Sequence, residues 1–285
     1  DLLGGKIREN VALAAYLFYR HPNELSQGGV SNPEEMSAYA AEMIALHGFK
    51  TLKMKAGVLA PAEELATLIE LRDKFPDTNI RVDPNGAWSV GTALSFANKT
   101  RELNLEYLED PVWGMRGMAR VNSQCPWLPL ASNMSVATPD DFSNAIAFNA
   151  VDIILVDPHF FGGLRQARYA AATLETFQVG VSMHSQGEFG ISMAVQLHLA
   201  SALPNLTHAA DAHYHHLVDD IIDGGMLKCV GGKMVVPNGP GLGISLDREK
   251  LKEFSALAKK YRDASQTSIT GDPTLDKHIP VLPRW

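Results

Sequence analysis

Seven polar residues punctuate the chain at a nearly constant interval, and each closes a short apolar or β-branched run. They are Lys55 after FKTLKMK (49–55), Asp83 after NIRVD (79–83), Glu109 after LEYLE (105–109), Asn133 after PLASN (129–133), Asp157 after VDIILVD (151–157), His184 after VGVSMH (179–184) and Asp211 after LTHAAD (206–211). Their successive gaps are 28, 26, 24, 24, 27 and 27 residues. One strand, one helix and two turns fill such a length, and an eighth run, NVALAAYLF (10–18), precedes the series. Asn32-Pro33-Glu34-Glu35, Pro61-Ala62-Glu63-Glu64-Leu65 and Thr138-Pro139-Asp140-Asp141 carry helix-start chemistry between runs: a capping residue or Pro, then acids in the first turn. Alternating strands and helices predict a parallel sheet. Every strand would deliver a polar residue to one end, and a closed (β/α) barrel gathers those ends into one face. An open doubly wound sheet would scatter them along a wide edge, and no GxGxxG follows a first strand.

Composition narrows the class. The 285 residues allow one or two domains, and a 46% hydrophobic, 20% charged chain builds a large core rather than a disordered segment. A net charge of -7 gives no basic excess for nucleic acid. Two cysteines, Cys125 and Cys229, exclude a disulfide scaffold and suit a reducing compartment. No run of ~18 apolar residues and no signal-peptide layout is present, so no membrane partner and a cytoplasmic location are expected.

Asp83, Glu109 and Asn133 would supply oxygen ligands from three consecutive strands. Hard oxygens without Cys or His suit Mg²⁺ better than Zn²⁺. The bland alternative, helix capping by Asn133 and two idle acids, leaves the acids on adjacent strands unexplained. Lys53 and Lys55 are two apart and share one face of a strand, pointing into the barrel while Leu52 and Met54 pack under helices. Two ammonium groups side by side are expected to lower each other's pKa, which prepares a base. Asp157 and His184 end adjacent strands, where a carboxylate orients an imidazole. His213, His215 and His216 match no common zinc spacing, and of these only His213 is expected to line the site. The tryptophans are assigned to packing. Gly239-Pro240-Gly241-Leu242-Gly243 reads as a turn into a short final strand.

Together KMK (53–55), VDPNGAW (82–88), YLEDP (107–111), ASNMSV (131–136), VDPHFF (156–161) and MHSQGEFGISMA (183–194) resemble the enolase superfamily. Within it they are most similar to the mandelate racemase group and its glucarate dehydratase family, over about residues 10–246. The resemblance implies a (β/α)7β TIM-type barrel in residues 1–245. It implies a C-terminal segment, 246–285, that packs on an N-terminal α+β capping domain, and that domain has no counterpart in this chain. It implies an acid-sugar substrate held by Mg²⁺ on Asp83, Glu109 and Asn133. Loss of the proton alpha to a carboxylate gives an enediolate, stabilised by the metal and Lys53, and the β-hydroxyl then leaves. Lys55 would be the base on one face and His184, supported by Asp157, on the other. Asn85, Ser185, Gln186 and His213 match positions around the substrate. Glucarate dehydratases are expected to carry Asn after the histidine where this chain has Ser185, Gln186 and Gly187, which bears on the substrate. A small-molecule acid sugar and a second copy of the chain, in a homo-oligomer, are the expected partners. Two further readings stand beside dehydration: an acid-sugar epimerase or racemase using both bases, and a non-catalytic sugar-acid-binding homologue.

Overall fold

The computed structural model describes residues 2–20 and 28–265, with side chains to residue 260. Eight parallel strands follow the predicted runs: β1 (Asn10–Leu17), β2 (Thr51–Lys55), β3 (Asn79–Asp83), β4 (Tyr107–Glu109), β5 (Leu130–Ser132), β6 (Ile153–Val156), β7 (Gly180–Met183) and β8 (Ala210–Asp211). Each from β1 to β6 pairs in parallel with the next. The ring closes because β8 pairs with β1, and Leu206, just ahead of β8, bridges Val181 of β7. The expected (β/α) barrel is therefore present.

Helices α1 (Pro33–His47), α2 (Pro61–Lys74), α3 (Val90–Lys99), α4 (Met115–Gln124), α5 (Phe142–Phe148), α6 (Leu164–Thr176) and α7 (Gly190–Ala202) fill the crossovers. The Asn32 side chain accepts the Glu35 N–H at 2.9 Å and starts α1 as the sequence predicts. Gly48 ends it at φ 74°, and a Cβ there would lie 2.7 Å from Gly231 Cα, so both the backbone angle and the space demand glycine. Thr138-Pro139 opens a 3₁₀ turn that leads into α5.

One expectation fails. The glycine-rich turn at 239–243 leads to no strand; Leu246 makes a single antiparallel bridge to Ile222, and helix α8 (Arg248–Ser265) follows. The extra strands come earlier, as a hairpin of β9 (Cys229–Val230) and β10 (Lys233–Val235) that pairs antiparallel with Asn10–Ala12 of β1. The glycines support positive-φ turns at 239, 241 and 243 instead of extended chain. Residues 266–285 of the C-terminal segment lie outside the described residues. No helix among the described residues is long and apolar enough to cross a membrane.

Strand alternation sorts the side chains. Leu52, Met54, Ile80, Val82, Leu108 and Leu130 are buried within the main hydrophobic core, as Lys53 and Arg81 occupy the alternate positions. The smaller apolar plug is Tyr107, Ala131, Ile153 and Leu155. Joined to it through Tyr107 is an ion network that is buried except at Glu106. Arg81 donates to Glu106 (2.7 Å), the Tyr107 hydroxyl (2.6 Å), the Ala209 carbonyl (3.0 Å) and Asp211 Oδ1 (3.2 Å). Asp211 Oδ2 accepts from the Tyr16 hydroxyl at 2.8 Å and from Lys53.

Removing one partner of a buried ion network strands the others without water. Arg81→Ala is expected to cost about 3–5 kcal/mol in urea unfolding, whereas Lys252→Ala, at an exposed pair with Glu249, leaves the midpoint unchanged. Equal midpoint shifts would contradict the network's role. A second expectation concerns His215, whose ring packs 5.0 Å from Phe49 and whose nitrogens are both buried without a partner among the described residues. Burial, then the neighbouring charges of His216, His47 and His213, lowers its imidazolium to about 2 from an ordinary 6.5. The pKa is depressed on folding, so the stabilisation is present above pH 6.5 and drains away as acid approaches the folded value. His215→Phe is expected to flatten the fall of the urea midpoint between about pH 6 and pH 4; an unchanged slope would contradict it.

Candidate active site

The C-terminal strand ends bring the predicted acids together. Asp83 ends β3, Glu109 ends β4 and Asn133 follows β5; both carboxylates are fully buried. Burial works against the Asp83 anion, but Lys55 and Lys53 outweigh it and lower the carboxyl to about 2. Glu109 goes the other way: burial, then the charge of Asp83, raises it well above the usual range despite Lys53. Two buried carboxylates whose repulsion is only partly relieved form a place for added positive charge.

Asp110, at φ 37°, accepts from the Ser132 hydroxyl (2.6 Å) and the N–H groups of Asn133 (2.9 Å) and Met134 (3.0 Å). This fixes the loop that carries Asn133. The oxygen and nitrogen of the Asn133 amide can be assigned in either of two ways. In one its nitrogen donates to Glu109 Oε1 (3.1 Å) and Asp110 Oδ2 (3.2 Å), and its oxygen accepts from His184 Nε2 (3.1 Å). In the other its oxygen faces the same two carboxylates and its nitrogen faces His184. The second is unfavourable unless a cation lies among the oxygens, and it leaves His184 Nε2 as an acceptor. Among the described residues no three His, Cys, Asp or Glu side chains are grouped to hold a metal ion. A cation here therefore needs the amide oxygen as its third donor, and the set of two carboxylates and an amide fits a hard divalent ion.

The lysines are inside the barrel, as alternation predicts, but Lys53 is not lowered as expected. Lys53 is fully buried, bonds to Glu109 and Asp211, and lies 3.4 Å from Asp83. Burial disfavours its charge, yet Asp211 and Glu109, with Tyr16 and Asp83, raise its pKa well above the ordinary lysine value. The expected mutual lowering fails for Lys53 because carboxylates surround it. Lys55 is nearer the mouth, with 19% of its side chain exposed, bonded to Asp83 and to Asn85 Oδ1 at 2.8 Å.

On the other flank, His184 Nδ1 meets Asp157 Oδ2 at 2.8 Å, the predicted pair. A third member was not anticipated. His159 holds the other oxygen, Asp157 Oδ1, through Nδ1 at 2.7 Å and through its N–H at 2.8 Å. Burial would raise Asp157, but the bonds from His184 and His159 outweigh it and the carboxyl is lowered. The signal was present in Asp157-Pro158-His159, a two-residue spacing that lets a side chain fold back on the acid.

The four expected substrate contacts divide. Asn85, at φ 49°, bonds Lys55 and donates its N–H to Asp83 Oδ1 at 2.9 Å, which places it at the mouth. His213 lies tilted against Tyr16, with ring centroids 4.1 Å apart, and stacks on Phe18 at 5.6 Å. Gln186 is exposed. Ser185 is not on the pocket surface: it is 2% exposed and its hydroxyl is committed to Glu188 and His213. The loop turns inward there because Glu188, also buried, draws the Ser185 hydroxyl and the Gln186 N–H onto itself. Trp113, assigned to packing, is 60% exposed.

Comparison with known proteins agrees with this geometry. Residues 35–250 match the family described as enolase C-terminal domain-like. The chain is 40% identical to a probable glucarate dehydratase of Streptomyces coelicolor, covering 100% of this chain and 68% of that protein. A solved enolase of Thermobispora bispora, complexed with magnesium and formate, superposes with a TM-score of 0.84 at 40% identity, covering 92% of this chain and 63% of that one. A solved enolase of Pseudomonas fluorescens, with bound magnesium, potassium and tartrate, does so with a TM-score of 0.84 at 40% identity over 89% of this chain and 61% of that one. The chain thus spans 61% to 68% of the length of these relatives. Its barrel, its strand-end series and these similarities make it a member of the enolase C-terminal domain-like family.

Proposed function

We propose that the protein is a Mg²⁺-dependent dehydratase of acid sugars, of the glucarate type. One observation carries the reading: the oxygens of Asp83, Glu109 and Asn133, at the ends of β3 to β5, lie between a lysine on β2 and a supported histidine after β7. The S. coelicolor relative is named a probable glucarate dehydratase, and the P. fluorescens structure holds magnesium with tartrate, a hydroxy-diacid. Bound by Asp83, Glu109 and Asn133, Mg²⁺ would supply the positive charge that makes a proton alpha to a carboxylate removable.

The residues of the chain divide the remaining work. Lys55 stands on one side of the acids and removes or returns a proton there. His184 stands on the other, its Nδ1 held by Asp157 so that Nε2 faces the mouth and exchanges the proton on that face. The same nitrogen can protonate a departing β-hydroxide. Lys53, held in place by Asp211 and Glu109, keeps a fixed positive charge beside the acids. Asn85 positions Lys55 through its amide oxygen.

Incubation with hexarate and aldonate diastereomers and Mg²⁺ is expected to yield an α-keto acid with at least one of them, and EDTA is expected to abolish it. Deuterium uptake from D₂O without a keto product would replace dehydration by epimerisation, which the two-sided base arrangement also permits; no uptake with any acid sugar would overturn both. Lys55→Ala and His184→Ala are each expected to lower kcat by about 10²–10⁴, the usual contribution of a positioned proton-transfer group. Full turnover in either folded variant would remove that residue from the reaction.

A further inference from the structure

Glu188 lies outside the acid series, is 3% exposed and takes no part in the proposed proton transfers. Its Oε1 accepts the Gln186 N–H at 2.8 Å and a Gln196 amide proton at 2.9 Å. Its Oε2 meets the Ser185 hydroxyl at 2.5 Å. Two N–H donors already converge on Oε1, and toward Ser185 the carboxylate Oε2 acts as an acceptor. Ser185 has a single hydroxyl proton, so that proton goes to Glu188. The Ser185 oxygen is left with lone pairs, and two nitrogens of His213 address them: the backbone N–H at 3.0 Å and Nδ1 at 2.9 Å. Nδ1 must then bring a proton of its own.

Burial, followed by the charge of Lys55, lowers the His213 imidazolium to about 4, so the ring is neutral near pH 7 and has one N–H. With that proton spent on Ser185, Nε2 carries a bare lone pair. Among the described residues it has no hydrogen-bond partner, and the ring is walled by Tyr16 and Phe18.

We propose that Glu188, acting through Ser185, is a positioning residue that fixes the proton of His213 on Nδ1, so that Nε2 meets the substrate as an acceptor and selects a hydroxyl there. This deepens the acid-sugar reading and rests on it for the identity of the ligand. A lone pair takes a hydroxyl proton and repels a carboxylate oxygen, whereas the opposite tautomer would favour a carboxylate or a carbonyl. The chain thus separates two recognition tasks: cationic groups for the carboxylate, an acceptor for a hydroxyl.

Glu188→Gln tests the relay. Gln196 and the Gln186 N–H hold an acceptor at the Oε1 position, so the new amide nitrogen faces Ser185 and donates to it. The Ser185 proton then turns to His213 Nδ1, and the His213 proton moves to Nε2. Long-range ¹H–¹⁵N NMR of the ¹⁵N-histidine protein at pH 7.5, with His213 assigned from its loss in His213→Asn, reads the tautomer directly. The expected result is Nδ1–H in the natural protein and Nε2–H in Glu188→Gln, with KM for an active acid sugar raised about tenfold and kcat changed less. An Nε2–H or cationic ring in the natural protein, or one tautomer in both, overturns the proposal. If Glu188→Gln does not fold, Ser185→Ala removes the Nδ1 acceptor and is expected to give mixed tautomers; a pure Nδ1–H form there overturns it equally. The tautomer is measured without substrate. A switch without turnover on any acid sugar therefore overturns the dehydratase reading alone, and turnover without a switch overturns the relay alone.

Discussion

The chain of charges inside the barrel is the constraint on which the rest is built. It runs from Glu106 through Arg81 to Asp211, from Asp211 to Lys53, from Lys53 to Glu109 and Asp83, and from Asp83 to Lys55 at the mouth. Each of Lys53, Arg81, Asp83, Glu109 and Asp211 is closed off from water. Isolated, any of these would cost several kcal/mol to bury. Joined, each is answered by a neighbour of opposite sign, and the register of four strands must be right for the answers to meet.

Register explains the pattern. Lys53 lies opposite Arg81 and Lys55 opposite Asp83 across β2 and β3, while Tyr16 of β1 lies opposite Lys53. Two cations side by side at one level would repel. Asp211 from β8 prevents this by giving Oδ2 to Lys53 and Tyr16 and Oδ1 to Arg81. A slip of one residue in β2 or β3 would turn Lys53 or Arg81 into the apolar layer under the helices. Closure of the ring and correctness of the site are thus one requirement, since β8 both seals the sheet and supplies the carboxylate.

This relation decides what the sequence made legible. The interval of 24 to 28 residues exposed the barrel, and the residue types at its beats exposed the acids, the Lys pair and the Asp157–His184 pair. Asp211 was on the beat too, but its partner Lys53 is 158 positions away, and spacing cannot say which side of a ring faces which. Arg81 was readable in principle, because it shares a strand face with Asp83, yet an arginine inside a closed barrel contradicts ordinary burial preference. Glu188 and Ser185 were hidden for another reason. Their partnership depends on a loop turning its hydroxyl away from the pocket, which residue types do not report. His159 was missed because Asp157 already had a partner, and a carboxylate has two oxygens to give.

The same bookkeeping of sign bears on what the mouth can accept. Inside the barrel, Lys53, Lys55 and Arg81 face Asp83, Glu109, Asp211 and the partly exposed Glu106. The groups nearly cancel, so these side chains alone neither attract nor reject an anion strongly, and a chain of net charge -7 supplies no help from outside. Adding a divalent cation at Asp83, Glu109 and Asn133 would tip the local balance to positive, in a cavity where screening by water is weak. A carboxylate ligand restores neutrality; a neutral sugar does not. On the proposed reading, selectivity for an anion would come from the cation combined with lysines already committed to acids, and a protein of net charge -7 would need no external positive surface to hold an acid substrate.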